Sequence, residues 1–297
     1  MKRIITLMLA IVLTVAFTAC GNMDAKEINV ATLNGPTGIG MVQLMDDYNV
    51  EVYQSPTDVA AKVLKGDCDI AALPSNMAAV LYNKSKGNIV ELATIAMGNL
   101  YIVQNGNEKL TLESLKNKTI IASGQGGTPE FVLKKIAPEA NVKWIASHAD
   151  VVQAVMKNDG AIGMIPEPFV STALAQNDNI NIAFDLNDLW KDATGEELPM
   201  GVLVATKAFA DEHSSDIDAF LDVYEESVDF VNDASQSADL VVEKGFFANE
   251  KLAEKAIPGC KIVLNRDKKV IENFYEQLFD LNPKSIGGKL PDEEFYY

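Results

Sequence analysis

SPTDVAAKVLKGDCDIAALP (Ser55 to Pro74) and SHADVVQAVMKNDGAIGMIP (Ser147 to Pro166) are two copies of one pattern, set 92 residues apart. Eight of the twenty aligned positions are identical: Ser55/Ser147, Asp58/Asp150, Val59/Val151, Val63/Val155, Lys65/Lys157, Asp67/Asp159, Ile70/Ile162 and Pro74/Pro166. Each copy reads as an amphipathic helix, a polar turn and a short apolar strand ending on proline. A repeat this long is too large for one turn of a solenoid and points to two similar α/β units in one chain. Two units imply two lobes with a cleft between them.

Working outward from the first copy, Ile28 to Leu33 reads as a strand, Gly35-Pro36-Thr37-Gly38 as a tight turn and Ile39 to Asp46 as a helix. Asn49 to Gln54 alternates as a strand, Ser55 and Thr57 are N-cap candidates for a helix to Lys65, and Ser75 opens another helix after the strand Asp69 to Leu73. The second unit follows the same order. Strand Thr119 to Ala122 leads through the loop Ser123-Gly124-Gln125-Gly126-Gly127 to a helix from Thr128, then come strand Val142 to Ala146, helix Asp150 to Asn158, strand Ala161 to Ile165 and a helix from Glu167. Alternating strands and helices call for a mostly parallel sheet covered on both faces. Glu91 to Gln104 reads as one extended crossover, and Pro199 to Thr206 as the return after a turn-rich Asn187 to Glu197. Helical patterns from Ser214 to Leu281 then belong to the first lobe. The expected division is a leader over 1–19, a tether over 20–26, lobe 1 over 27–103 and 204–297, and lobe 2 over 104–203. The two crossings form hinges near Gly98 to Gln104 and Pro199 to Val204. The Gly- and Pro-containing tail, which ends on Tyr296 and Tyr297, reads as a packed extension.

Lys2 and Arg3 ahead of the apolar run Ile4 to Phe17, with Thr18-Ala19 following, form an export signal. Cys20, followed by Gly21-Asn22, resembles the lipobox cysteine of bacterial lipoproteins, which would place a lipid anchor there. The plainer reading is a cleaved signal with an incidental cysteine. The whole chain carries a net charge of −17, and loss of Lys2 and Arg3 makes the remainder more acidic, which disfavours nucleic acid as a partner. No second run of about eighteen apolar residues occurs. Cys68 and Cys260, the other two cysteines, could pair or stay as buried thiols, and the sequence leaves both open.

In open α/β sheets ligands bind beyond the carboxyl ends of the strands, which puts Asn34 to Met41, Ser75 to Met77, Ser123 to Thr128 and Glu167 to Phe169 at the cleft. Each loop precedes a helix, so free backbone N–H groups and the positive ends of helix dipoles are expected to face a ligand. Thr37, Ser75, Asn76, Asn99, Ser123 and Thr128 supply neutral donors and acceptors, and Glu167 is the one candidate acid or base, better read as a ligand contact. GPTGIG lacks the GxGxxG spacing and GQGGT lacks the Lys-Ser/Thr of a P-loop, so neither is a nucleotide motif. No GxSxG, HExxH or CxxC occurs. His148 and His213 read as ordinary surface or capping residues. No metal site, cofactor or catalytic group is expected. Arg266, the one arginine beyond the leader, lies far from the cleft loops, and none of those loops carries a lysine. Met41, Met77, Phe131 and Phe169 beside neutral polar groups suit a neutral or amine-bearing ring, with Glu167 accepting from a ring amine.

The leader, the two βα units, KGDCDIAALPSNMA in the first (from Lys65), LTLESLKNKTI opening the second (from Leu110) and IPEP after its third strand (from Ile165) together resemble the substrate-binding proteins of ABC importers. The group resembled is the nitrate/sulfonate/taurine and thiamine-pyrimidine one, with the type II periplasmic-binding fold. That resemblance implies an α/β, two-lobed protein without enzymatic activity, a hinge-closing trap that delivers a small-molecule solute to a membrane permease with its ATPase. It implies a monomer at the outer face of the cytoplasmic membrane, lipid-anchored at Cys20. Its ligand-contacting loops fall on Thr37, Gly38, Ser75, Asn76, Asn99, Gly126, Gly127, Thr128, Glu167 and Pro168. A small anion such as sulfonate, nitrate or bicarbonate is the alternative ligand. A tethered sensor, or an enzyme on the same fold, is the alternative class.

Overall fold

The computed structural model describes residues 23–297; the expected leader and the anchor cysteine Cys20 lie outside the described residues. The chain runs β1 (Asn29–Leu33), α1 (Pro36–Ile39), β2 (Asn49–Tyr53), α2 (Pro56–Lys65), β3 (Ile70–Pro74), α3 (Ser75–Ser85), β4 (Ile89–Met97), β5 (Leu100–Asn105) and β6 (Thr119–Ala122). It continues α4 (Thr128–Ile136), β7 (Asn141–Trp144), α5 (His148–Lys157), β8 (Ile162–Pro166), α6 (Phe169–Gln176), β9 (Ile180–Asp185), α7 (Leu186–Thr194) and β10 (Pro199–Thr206). The last part is α8 (Lys207–Glu212), α9 (Ser214–Asn232), α10 (Ala234–Glu243), α11 (Glu250–Cys260), β11 (Ile262–Asn265) and α12 (Lys268–Leu281).

The strands form two sheets, ordered β11-β4-β10-β3-β1-β2 and β7-β6-β8-β5-β9. Both halves of the sequence repeat build the same thing. β1 lies parallel between β2 and β3, and β6 lies parallel between β7 and β8. Each parallel trio is then flanked by an antiparallel strand, β10 beside β3 and β5 beside β8. The repeated serines do the same local work: Ser55 Oγ accepts from the Thr57 amide and Ser147 Oγ from that of Asp150, capping α2 and α5. The fold is a mixed α/β, two-lobed one, as its sequence implies.

Several boundaries differ from the sequence reading. The expected divides at 103/104 and 203/204 fall inside strands. β5 is hydrogen-bonded to β8 and β9 from Leu100 onward, and β10 joins the first sheet from Pro199. The single extended segment over 91–104 is two strands in different sheets, broken at Gly98 and Asn99. A Cβ on Gly98 would run into the Asn187 side chain, so the close approach of α7 fixes the break. The turn-rich 187–197 is largely the helix α7, capped by Asp185 accepting from the Asn187 amide, with Leu186 and Trp190 fully buried. In place of the turn expected over 35–38 and the helix expected over 39–46 stand α1 and one 3-10 turn, Leu44–Asp46, with Gly40 close against the Tyr224 hydroxyl between them. β9, β11 and α8, of six, four and six residues, are too short for their period to set them apart.

Three apolar clusters hold the layers together. One packs helices on the first sheet and includes Tyr224, Phe220 and Ile39, and a smaller one with Val103, Val151 and Ile165 does so for the second. The third runs through both lobes, where Trp190 of α7 meets Phe274 of α12 with ring centroids 5.6 Å apart. Cys68 and Cys260 are free and buried, and burial pushes the Cys68 thiol up to about 12. The tail is packed, with Ile286 and Phe295 fully buried and the Tyr297 amide donating to the Glu91 carbonyl at 3.0 Å.

Glu91 itself is 5 % exposed in β4. Burial, with a smaller contribution from Glu272, pushes its carboxyl up to about 8. In the unfolded chain that group ionises near 4.5, so between these values only the unfolded state gains the charge, and stability falls as pH rises from about 4.5 to about 8. Glu91→Gln should therefore match wild type in stability at pH 4.5 and exceed it at pH 8 by on the order of a few kcal/mol, with a correspondingly higher Tm. Thermal melts across that range check it; a constant offset at all pH values would refute it.

Candidate functional site

The carboxyl ends of β1, β2 and β3 face those of β6, β7 and β8 across a cleft of about 510 Å³. The first lobe contributes Asn34, Pro36 and Thr37 after β1, Gln54 and Thr57 after β2, and Asn76 and Met77 at the start of α3. The second contributes Gly124 to Pro129 before and into α4, His148 at the start of α5, and Glu167, Pro168 and Phe169 ahead of α6. Asn99 from the outgoing crossover and Met200 and Gly201 from the return close the back.

Of the residues expected at the site, Thr37, Asn76, Asn99, Gly126, Gly127, Thr128, Glu167 and Pro168 line this cleft. Gly38 and Ser75 do not. A Cβ on Gly38 would collide with the Leu33 carbonyl and with Phe246, so that glycine is a packing position behind the wall. Ser75 is fully buried, and its carbonyl accepts from the Tyr275 hydroxyl at 2.9 Å. Met77 and Phe169 flank the cleft, whereas Met41 and Phe131 lie in the core.

Two expected ligand contacts are engaged by the protein. Glu167 Oε2 accepts from the Ser171 amide at 3.0 Å and Oε1 from the Ser171 hydroxyl at 2.9 Å, so the carboxylate closes the first turn of α6. Its other side lies against Gly259 at the end of α11, where a Cβ would stand 2.9 Å from Oε1. Burial pushes this carboxyl up, and the Ser171 bonds partly offset that. Asn76 Oδ1 accepts from the Thr128 amide and hydroxyl, both at 3.1 Å. Glu130 bonds the Gly126 amide at 2.6 Å, and Pro129 has no N–H. The free helix-end donors expected at α4 are therefore already taken.

His148 is the residue that the sequence reading misplaced. It lines the cleft, with Nδ1 2.7 Å from Ser123 Oγ and its ring 5.5 Å from that of Phe169. Burial holds its imidazole down to about 4, so it is neutral at pH 7 and offers one further hydrogen-bonding nitrogen. The signal was there: His148 begins the helix after β7, and Gln54 and Thr57 follow β2 in the same way. The second strand of each unit thus ends at the cleft as the first and third do. Among the described residues, no Lys or Arg lines the cleft, and no group of three or more His, Cys, Asp or Glu could hold a metal.

Known structures share this architecture. The chain is similar to an ABC transporter protein of Parabacteroides distasonis, with 26% identity over 91% of this chain and 98% of that one and a TM-score of 0.78. In fold it is similar to the periplasmic aliphatic sulphonate binding protein of Escherichia coli, at 15% identity, 91% of each chain and a TM-score of 0.73. The same holds for the alkanesulfonate-binding protein of Xanthomonas axonopodis, at 11% identity, 94% of this chain and 99% of that one, with a TM-score of 0.69. The fold is thus that of the two-lobed periplasmic binding proteins of ABC importers. By sequence, the chain belongs to the menaquinone biosynthesis family, whose model matches residues 39–278. No curated protein matches the sequence.

The depressed His148 gives a signed pH effect. Its unfolded counterpart protonates near 6.5 while the folded imidazole stays neutral to about 4, so stability is lost as pH falls through that window. His148→Gln should lose less stability than wild type between pH 6.5 and 4 in chemical denaturation. Equal losses would show that the imidazole is freely solvated.

Proposed function

We propose that this chain is an exported solute-binding lipoprotein that captures a small, neutral or amine-bearing heterocycle, of the thiamine-pyrimidine kind, and delivers it to an ABC permease and its ATPase. The observation that carries the reading is the cleft's composition: neutral polar groups, Met77 and Phe169, and no cation among the described residues. A bound anion would meet Glu167 at one helix start and Glu130 close to another, where positive groups would be needed. That disfavours sulfonate, nitrate and bicarbonate, even though two proteins of similar fold are sulfonate-binding ones. Asn34, Gln54, Thr57, Asn99 and His148 are the polar contacts we assign to the ligand, with Met77, Pro168 and Phe169 as its apolar walls. The backbone at Gly126 and Gly127 approaches it closely. The protein acts as a monomer tethered through Cys20 to the outer face of the cytoplasmic membrane, and opens about Gly98-Asn99 and the start of β10. No helix among the described residues is long and apolar enough to cross a membrane, which suits a tether.

A second reading, an enzyme, is favoured by the Ser123 and His148 pair in a chain of the menaquinone biosynthesis family. A neutral imidazole can take a proton, but at about 4 it is a weak base at neutral pH, which suits a hydrogen-bonding role better. Thermal-shift screening of the purified protein against pyrimidines, aliphatic sulfonates, nitrate and bicarbonate tests the assignment. A pyrimidine should raise Tm, and His148→Ala should weaken its binding by about tenfold or more. Tight sulfonate binding with no response to any heterocycle overturns the ligand class, and turnover of a stabilising compound overturns the transport reading.

A further inference from the structure

Asn76 has two amide donors and one carbonyl oxygen with two acceptor sites, and the protein fills every one. Nδ2 donates to the Ser285 carbonyl at 3.2 Å and to the Gly126 carbonyl at 3.4 Å, while Oδ1 accepts twice from Thr128. Nothing is left for a solute. The partners also come from separate places: Ser285 lies in the C-terminal segment on the first lobe, and Gly126 and Thr128 lie in the binding loop of the second.

The Thr128 amide is the first N–H of α4, and its own N-cap residue is Gly127, which has no side chain to supply. A residue from the opposite lobe thus caps this helix. The segment that holds Asn76 from behind is itself fixed along α3. Asn83 Nδ2 donates to the Ile286 and Lys289 carbonyls at 2.7 and 2.8 Å, the Tyr82 hydroxyl bonds Asp292, and Ser285 Oγ donates to the Leu278 carbonyl. Gly287, at φ 87°, passes so close to α3 that a Cβ would stand 3.2 Å from the Val80 backbone.

We infer that Asn76 is a positioning residue, a latch through which the C-terminal segment holds the second lobe's binding loop and keeps the empty cleft closed. Opening the lobes must break both bonds to Thr128. The latch works whatever the solute is, so its failure would not touch the ligand assignment, nor would a failed ligand screen touch it.

Amide hydrogen exchange of the ligand-free full-length protein tests this. Asn76→Ala should speed exchange at Thr128 by about tenfold, the loss of one buried hydrogen bond, while the amides of β1 and β6 keep their wild-type rates. Small-angle scattering should show a larger radius of gyration for the same variant. Asn83→Ala, which frees the tail without touching the second lobe, should speed Thr128 exchange by a smaller factor. Unchanged Thr128 exchange in Asn76→Ala overturns the inference, as does equal acceleration through both sheets, which would make the residue a general support. If Asn76→Ala does not fold, Thr128→Ala removes only the hydroxyl arm. Faster exchange confined to the 126–128 loop then supports the latch, and wild-type rates there refute it.

Discussion

The whole arrangement hangs on the exchange of two antiparallel strands. A parallel trio such as β2-β1-β3 leaves the outer edge of β3 unpaired, and β8 has the same open edge. Each edge is covered by a strand drawn from a crossing of the chain: β5 on its way out and β10 on its way back. Because the two occupy equivalent places, the trios are held with their carboxyl ends face to face. The cleft is therefore a product of sheet pairing, and its lining residues are whatever sits at six strand ends and two crossovers.

Helix starts crowd that cleft, yet the chain neutralises much of their polarity itself. Glu167 caps α6 and Asn76 caps α4, one from the same lobe and one from the other. With the starts of α4 and α6 engaged and, among the described residues, no Lys or Arg lining the cleft, the polar groups left there are amides, hydroxyls and one neutral imidazole beside an aromatic ring. Such a surface discriminates by shape and hydrogen-bond pattern more than by charge.

The repeat of Ser55 to Pro74 in Ser147 to Pro166 made the fold legible, since helix period, turn and apolar strand recur with the same punctuation. The strand-end rule then found most of the cleft, because it depends on chain direction alone. It failed where contacts distant in sequence decide. Nothing near Gly38 announces that Leu33 and Phe246 leave no room for a side chain, and nothing near Asn76 announces Ser285. The second strand of each unit, half-exposed at the sheet edge, also ends at the cleft, so its following residues Gln54, Thr57 and His148 escaped notice. The crossover boundaries slipped because β4 and β5 are both buried along nearly their full length, and an apolar run carries no mark of which sheet it joins.

The tail's position has a bearing on the order in which the protein is made. The second sheet is built from one unbroken stretch, Leu100 to Asp185, so it has all its strands once that stretch has emerged. The first sheet waits for β10 and β11, and α3, synthesised early, has part of its flank covered by residues 283–295, which follow every strand of both sheets. Vectorial synthesis or threading from the N-terminus thus presents a half-built first lobe beside a finished second one. Until those residues are in place, Tyr82 and Tyr275 lack the Phe295 ring that packs on both, and the Glu91 strand lacks its pairing with Tyr296 and Tyr297.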